Sequence, residues 1–498
     1  MPERTRRPGA PCGCGTCSRA RGAAPALDPC RCAAPATLRA YARLEADLRR
    51  RELLGGAAAI LGLFAGFGLA SGKARAREPR RPLLLTNLRL FDGIERRLRD
   101  GQDILVVDER IRALPGRGQG PAEAEIIDCG GRAVIPGLID THAHVTLAGV
   151  SELAALTGDP AYVHLVSGQV AGAMLRQGFT TIRDVGGPAF GLKLAIDQGI
   201  LPGPRIFPSG AALSQTAGHG DFRLLTELPR MPSSPASRIE AEGVNVIADG
   251  VPEVLRRARE QLMKGAAQIK IMAGGGVASR YDPLDTIQYT EEEMRAAVQA
   301  AADWGTYVCA HVYTPAGIRR CVGAGVRCIE HGQLADEATV RMMTEAGAWW
   351  SIQPFLGDED ANPKADPVAL AKQRAVAEGT ARAFALARRH PVRMSFGTDT
   401  LFSGELVRRM GRQLAKLTGF MPPLDALHLA TGAAGELLAL SGPRRPYEGA
   451  LGVIAAGACA DLLVVDGDPA AGLEWLESYD TSLRLIMKAG VVHKDTLA

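Results

Sequence analysis

Ala133-Val134-Ile135-Pro136-Gly137-Leu138-Ile139-Asp140-Thr141-His142-Ala143-His144 is an apolar run that stops on two histidines. Its branched residues and short length read as strand rather than helix. Side chains two apart on a strand point to the same side, so both imidazoles could reach one ion. A His-x-His pair alone decides little, because single histidines are more often buried and hydrogen-bonded than ligating. The rest of the chain supplies the context. Seven further apolar runs end at Asp184, Gly210, Ala273, Tyr313, His331, Pro354 and Thr400. Helical patterns lie between them. One covers 290–305, with Thr290 and Glu293 as a capping box and Gly305 as a stop; another covers 253–265. Alternating strands and helices imply a parallel sheet, and eight such repeats predict an α/β chain built on a (β/α)8 TIM barrel.

Chemistry in such a barrel sits where the strands end. The fourth run is Gln268-Ile269-Lys270-Ile271-Met272. A lysine between two isoleucines on a strand is costly to bury unpaired. Its ammonium either snorkels out, pairs with a carboxylate, or has reacted with CO2 to give a carbamate that bridges two metals. The fifth run ends Cys309-Ala310-His311-Val312-Tyr313, the sixth Ile329-Glu330-His331-Gly332, and the eighth Phe396-Gly397-Thr398-Asp399-Thr400. Four of the nine histidines fall at strand ends, beside one lysine and one aspartate. Each signal is weak alone, but the combination points to a metal centre. His164, His390, His428 and His493 have structural readings: helix surface, helix cap, helix interior and tail. Arg183 and Asp184, closing the second run, read as an internal ion pair or as support for the ligands. Gly274-Gly275-Gly276 lacks the Lys-Ser/Thr of a phosphate loop and reads as a tight turn beside the site.

Outside the repeats the texture changes. Short apolar runs at 83–91, 103–107 and 124–127 read as strands, and so do 452–454, 460–465 and 483–492. They are expected to pair into a small β-sandwich built from both ends of the mature chain. The organisation predicted is a leader at 1–82, an N-terminal sandwich segment at 83–138, the metal-dependent barrel at 139–440 and a C-terminal sandwich segment at 441–498.

The chain has 498 residues, 46% hydrophobic and 22% charged, which excludes wholesale disorder and a polytopic membrane protein. Residues 1–76 carry 13 Lys+Arg against 5 Asp+Glu, leaving 45 against 49 in the rest. The body therefore has no basic field suited to nucleic acid. Near the N-terminus, Arg49-Arg50-Arg51-Glu52-Leu53-Leu54 precedes an uncharged Ala/Gly-rich run at 53–72, then Lys73-Ala74-Arg75-Ala76. This resembles a twin-arginine export signal with cleavage after Ala76. It predicts use of the twin-arginine machinery and a periplasmic or extracellular protein, with an uncleaved membrane anchor as the alternative. Cys12, Cys14, Cys17, Cys30 and Cys32 are spaced closely enough to share an ion, though a disordered tail with free thiols fits the composition better.

The segments quoted above resemble the amidohydrolase superfamily from about residue 83 onward. The opening run matches its first signature, and Leu451-Gly452-Val453-Ile454-Ala455-Ala456-Gly457 with Ala460-Asp461-Leu462 matches its last. Within it, Thr180-Thr181-Ile182-Arg183-Asp184-Val185-Gly186, Gly203-Pro204-Arg205, Gly218-His219-Gly220, His311-Val312-Tyr313 and Gly397-Thr398-Asp399 resemble the imidazolonepropionase-like branch. That branch includes metal-dependent Xaa-Pro dipeptidases and N-acyl-amino-acid hydrolases. The resemblance implies two divalent metal ions, zinc by their ligand types. His142, His144 and Asp399 would hold one and His311 and His331 the other, with carboxylated Lys270 and a hydroxide bridging them. It further implies that Asp399 moves the proton from attacking water to leaving amine, and that Tyr313 and His219 contact substrate. The expected reaction is hydrolysis of the C–N bond of a dipeptide or N-acyl amino acid by a homo-oligomer. A mononuclear cyclic amidohydrolase or deaminase is the alternative, and a non-catalytic binding protein on the same fold a more distant one. The loops at 219–248 and 354–366 are expected to set specificity.

Overall fold

Gly137 divides the opening run into two strands. Ala133–Pro136 enters an antiparallel sheet against Leu462–Val465, with Val134 opposite Val464. Leu138–Ala143 continues beside Phe179–Asp184 in parallel. A Cβ at Gly137 would lie 2.1 Å from Thr180 Oγ1, so only glycine lets the chain pass between the sheets. The single run of the sequence thus becomes two elements. The computed structural model describes residues 81–231, 234–362, 364 and 366–497; the expected leader and its five cysteines lie outside them.

Both ends of the described chain meet in one sheet. Its five strands run in the order Val491–Asp495, Leu483–Lys488, Leu462–Val465, Ala133–Pro136, Arg89–Leu90. A four-stranded sheet of Arg110–Ala113, Ile104–Val107, Leu83–Thr86 and Glu125–Asp128 accompanies it. The Arg110–Ala113 strand escaped the sequence reading because its arginines interrupt the apolar pattern. One buried apolar cluster joins Leu85, Ile104 and Val106 of the second sheet to Val134, Val464 and Leu485 of the first.

The remaining strands are parallel and lie in two sheets. Leu138–Ala143, Phe179–Asp184 and Arg205–Pro208 form the smaller. The larger has the order Asn245–Ile247, Ala212–Ser214, Ile269–Met272, Val308–Val312, Cys328–His331, Trp349–Ile352, Arg393–Phe396. Most of these strands are buried along their length, which explains why they read as unbroken apolar runs. Sequence reading ended the third run at Gly210, but the chain goes further. Arg205–Pro208 pairs with Phe179–Asp184, Gly210 turns at φ +70°, and Leu213 then pairs with Ile271. One segment therefore serves both sheets. At the opposite edges, Thr141 Oγ1 donates to the Phe396 carbonyl (2.7 Å) and the Asp399 amide donates to the His142 carbonyl (2.8 Å).

Helices separate the parallel strands. The expected 290–305 helix is Glu291–Asp303: Thr290 Oγ1 accepts from the Glu293 amide, and the Glu293 carboxylate accepts from the Thr290 amide. The 253–265 pattern is Val251–Met263. His428, read as helical, sits in the first of two helices, Pro423–Leu429 and Gly432–Ala439. Gly432 there lies so close to the Gly93 carbonyl that a Cβ would be 1.9 Å from it. Among the described residues, Cys129, Cys309, Cys321, Cys328 and Cys459 are buried and free, and no helix is long and apolar enough to cross a membrane.

Candidate active site

The ends of the parallel strands open onto a cavity of about 160 Å³, and all eight predicted site residues line it: His142, His144, His219, Lys270, His311, Tyr313, His331 and Asp399. Their order around the cavity follows from strand order. His142 ends Leu138–Ala143 with His144 just beyond; Lys270, His311 and His331 come from three adjacent strands. The imidazoles form a chain of contacts: His142 to His144 at 5.3 Å between ring centroids, His142 to His331 at 4.7 Å, and His331 to His311 at 4.5 Å. Tyr313 stands edge-on to His311 at 5.2 Å, as period-two alternation requires. His219 stacks on His311 at 3.9 Å.

Alternation alone does not account for His331. Glu330 precedes it and also points inward, which a regular strand forbids. The resolution is backbone: His331 sits at φ +70°, and Asp399 at φ +51°. Non-glycine residues in the left-handed region cost about 1–3 kcal/mol and persist only where surroundings impose them. The surrounding backbone is tightly packed as well. A Cβ on Gly397 would lie 2.5 Å from His142 Cβ, and one on Gly276 would lie 2.0 Å from the His219 ring.

Hydrogen bonds fix which nitrogen of each imidazole is free. Glu330 is 0% exposed, and its two oxygens take Arg183 Nη2 (2.6 Å) and His142 Nδ1 (2.7 Å). Burial opposes ionisation of Glu330, but the Arg183 charge and the His142 hydrogen bond outweigh it and hold the carboxyl well below its ordinary range. An ionised carboxylate only accepts, so His142 Nδ1 carries a proton and Nε2 presents its lone pair. The Gly186 carbonyl likewise accepts from His144 Nδ1 (3.0 Å), and Gln353 Oε1 from His331 Nδ1 (2.8 Å). For His311 the pattern reverses: Nε2 faces the Gly275 carbonyl at 3.3 Å, leaving Nδ1 free. Burial pushes His311 well below the usual histidine range, with His219, His331 and Lys270 adding to it; burial and His142 do the same to His331. Both are therefore neutral donors of a lone pair.

This arrangement demands positive charge. His142 Nε2 and His144 Nε2 each lie 3.3 Å from Asp399 Oδ1, and the ligand atoms of the three lie within 4.8 Å of one another. Lone pairs turned on a carboxylate repel unless a proton or cation lies between them. Burial opposes charge on Asp399; with a proton on each Nε2, the charge of His142 and hydrogen bonds from His142 and His144 hold the carboxyl well below its ordinary range, and a cation in the same place would act in the same direction. Imidazoles whose second nitrogen is anchored by carboxylate, carbonyl or amide are arranged as metal ligands usually are. Lys270 is 1% exposed, and among the described residues no hydrogen bond or ion pair meets its ammonium.

Arg183 and Asp184 do not pair with each other. Arg183 pairs with Glu330, and Asp184 accepts from the Val145 amide (2.8 Å). Burial raises the Asp184 carboxyl to about 7, and that of Asp140 to about 6 even though Asp140 accepts from Thr398 Oγ1 at 2.7 Å. Of the histidines read as structural, His164 is helical, His390 caps the Pro367–Arg389 helix, and His428 faces the Gly93 carbonyl. The loops expected to set specificity do line the cavity, through Phe222, Ile239 and Val244 of one and Phe355, Asn362 and Lys364 of the other.

Comparison with known proteins places these features in a lineage. Residues 133–494 match the sequence model of the amidohydrolase family. The ochratoxinase of Aspergillus niger is 33% identical over 350 residues, 68% of this chain and 70% of that protein. The crystal structure of a prolidase complexed with N-methylphosphonate-L-proline has a TM-score of 0.77 at 36% identity, covering 83% of this chain and 100% of that one. That of a Xaa-Pro dipeptidase with methionine bound in its active site has a TM-score of 0.71 at 27% identity, over 83% of this chain and 100% of that one.

Proposed function

This chain belongs to the amidohydrolase family and is a hydrolase of carbon–nitrogen bonds; from that premise we propose that it is a binuclear enzyme cleaving the amide of a dipeptide, Xaa-Pro-like, or of an N-acyl amino acid. One observation carries the reading. The amine of Lys270 is buried without a partner on the same cavity wall as four imidazoles and Asp399. An unpaired buried ammonium costs several kcal/mol. Reaction with CO2 removes that cost: an N–C bond forms, two protons leave the ammonium, and an anionic carbamate replaces the cation. The carbamate would join two ions, one held by His142, His144 and Asp399, the other by His311 and His331, with zinc suiting this donor set.

Two such ions, when bound, supply a water that ionises near neutral pH and a pull on the scissile carbonyl. The chain's own groups do the rest. Asp399 takes the proton of the attacking water and delivers it to the leaving nitrogen. The Tyr313 hydroxyl, which has no hydrogen-bond partner among the described residues, faces substrate, and His219 belongs to the same wall. The prolidase and ochratoxinase likenesses support an amide substrate. A one-metal reading, of the deaminase kind, rests on His142, His144 and Asp399 forming the tight group by themselves.

Metal analysis of zinc-loaded protein, with a screen of dipeptides and N-acyl amino acids, tests the proposal. Wild type should hold near two ions per chain. Lys270→Ala should hold one and lose nearly all turnover; two ions and retained activity in that variant would remove the bridge. We propose the wider architecture on the same footing. The two parallel sheets, joined at both edges, close as a (β/α)8 barrel over 139–440. The two antiparallel sheets form a β-sandwich from 83–138 and 441–498. The 1–82 segment directs twin-arginine export, and the enzyme works as a homo-oligomer.

A further inference from the structure

His219 is part of the cavity wall, and the loop that follows Ile269–Met272 determines how its ring sits. The ring stacks on His311 at 3.9 Å and packs so closely on Gly276 that a Cβ there would lie 2.0 Å from it. Nδ1 lies 2.7 Å from Ser279 Oγ, and Asp282 Oδ2 stands 3.6 Å from the same nitrogen. Nε2 has no hydrogen-bond partner among the described residues. The backbone of His219 is tied to the same group. Its amide donates to Gln288 Oε1 (2.8 Å), and Gln288 Nε2 donates to Asp282 Oδ2 (3.2 Å). The Gly276 amide donates to that oxygen as well (2.9 Å). Ser279, Asp282 and Gln288 are not themselves part of the cavity wall, so whatever they do for a substrate they do through His219.

Asp282 is 2% exposed, and its second oxygen, Oδ1, is buried without a hydrogen bond. Burial opposes its charge; a proton on His219 Nδ1, with Ser279 and the Gly276 amide, holds the carboxyl below its ordinary range. The loop is clamped from the Pro367–Arg389 helix. Lys372 Nζ donates to the carbonyls of Asp282 (2.6 Å), Gly276 (3.1 Å) and Ser279 (3.4 Å), so one ammonium fixes the three residues that surround Nδ1. The direction of the His219 hydrogen bond follows. Ser279 can turn its own proton to the Gly276 carbonyl (3.4 Å) and accept from Nδ1. A carboxylate 3.6 Å from Nδ1 favours that arrangement, because it attracts an N–H and repels a lone pair. We propose that Asp282 is a positioning residue that acts through His219: with Ser279 it keeps a proton on Nδ1 and the ring in place, so that Nε2 is the nitrogen offered to substrate. The kinetic part of its test rests on the amide-hydrolase reading above.

Because Oδ1 makes no hydrogen bond, an Asp282→Asn variant with its nitrogen in that place keeps both bonds to Oδ2 and removes only the charge. The test compares zinc-loaded wild type, Asp282→Asn, Ser279→Ala, His219→Ala and the two double variants on N-acetyl-L-amino acids and Xaa-Pro dipeptides. His219→Ala should lose roughly 10- to 100-fold in kcat/KM. Asp282→Asn and Ser279→Ala should each lose about 3- to 10-fold alone, and almost nothing further in the His219→Ala background. Metal content should stay at the wild-type level throughout. Losses that multiply, or no loss from either single variant, overturn the assignment. Nitrogen-15 NMR of histidine-labelled protein adds a readout that needs no turnover. The His219 signals, identified by their absence in His219→Ala, should show the proton on Nδ1 in wild type and a mixture of tautomers in Asp282→Asn; one unchanged tautomer in both overturns the assignment. Ser279→Ala, the smaller change, carries the same two readouts if Asp282→Asn does not fold. If wild type cleaves no amide, the hydrolase reading fails, and the NMR comparison alone decides Asp282.

Discussion

Glu330 shows how much of a site rests on residues that touch no substrate. It links two buried groups, the Arg183 guanidinium and the His142 imidazole, and so fixes both the charge of one and the tautomer of the other. Glu330→Gln keeps the shape but removes the charge, and its amide can offer His142 an N–H where an acceptor is needed. Loss of such an outer partner weakens metal affinity about 10- to 100-fold. A chelator competition should show that loss, with activity restored at high zinc, whereas a purely structural effect would not respond to metal. The contact was hidden in the sequence for two reasons. Glu330 and its partner Arg183 are 147 residues apart, and strand alternation puts Glu330 opposite His331. Only the positive φ of His331 brings both inward, and nothing in the letters around it announces that turn. The histidines were legible because they are rare in this chain, and Asp399 because it closes the eighth run; Gln353 is a common residue type just past a strand, where no pattern marks it.

Among elements, the 354–366 loop has charges where the strands have apolar contacts. Arg409, Arg412 and Lys416 converge on Asp360, and Arg412 also reaches Glu359. Burial opposes the Asp360 charge, but hydrogen bonds from Lys416 and Arg409 keep its carboxyl below the ordinary range. Asp360→Asn leaves three cations facing one another with a weaker acceptor. We expect a stability loss of about 1–3 kcal/mol, the usual consequence of breaking a charged hydrogen bond. KM should rise several-fold while metal content stays constant, because the loop forms cavity wall and holds no predicted ligand. A thermal melt, a metal assay and steady-state kinetics on one preparation check all three. Strands and helices that the sequence revealed were those with one strong periodicity. The divided opening run and the broken third run went unseen, because each is a continuous apolar stretch whose break depends on a glycine packed against a distant strand or turned to positive φ.

At the scale of the molecule, the end of the chain holds the beginning in place. Leu483, Leu485, Ile486 and Met487 are each at most 1% exposed, and their strand covers Leu462–Val465, which in turn pairs with Ala133–Pro136. From Pro136 it is six residues to His142, so this sheet sets where the first ligand strand begins. Burying four such side chains contributes roughly 1.5–3 kcal/mol each. Their sum, roughly 6–12 kcal/mol, is comparable with the whole stability of an ordinary domain, about 5–15 kcal/mol. A chain stopped after Ser482 loses those side chains and leaves Leu462–Val465 as an exposed apolar edge. It should aggregate, show no cooperative melt and take up no metal. Should it instead melt cooperatively and retain zinc, the two ends would not be a single folding unit, and the placement of His142 would have to come from the parallel strands alone.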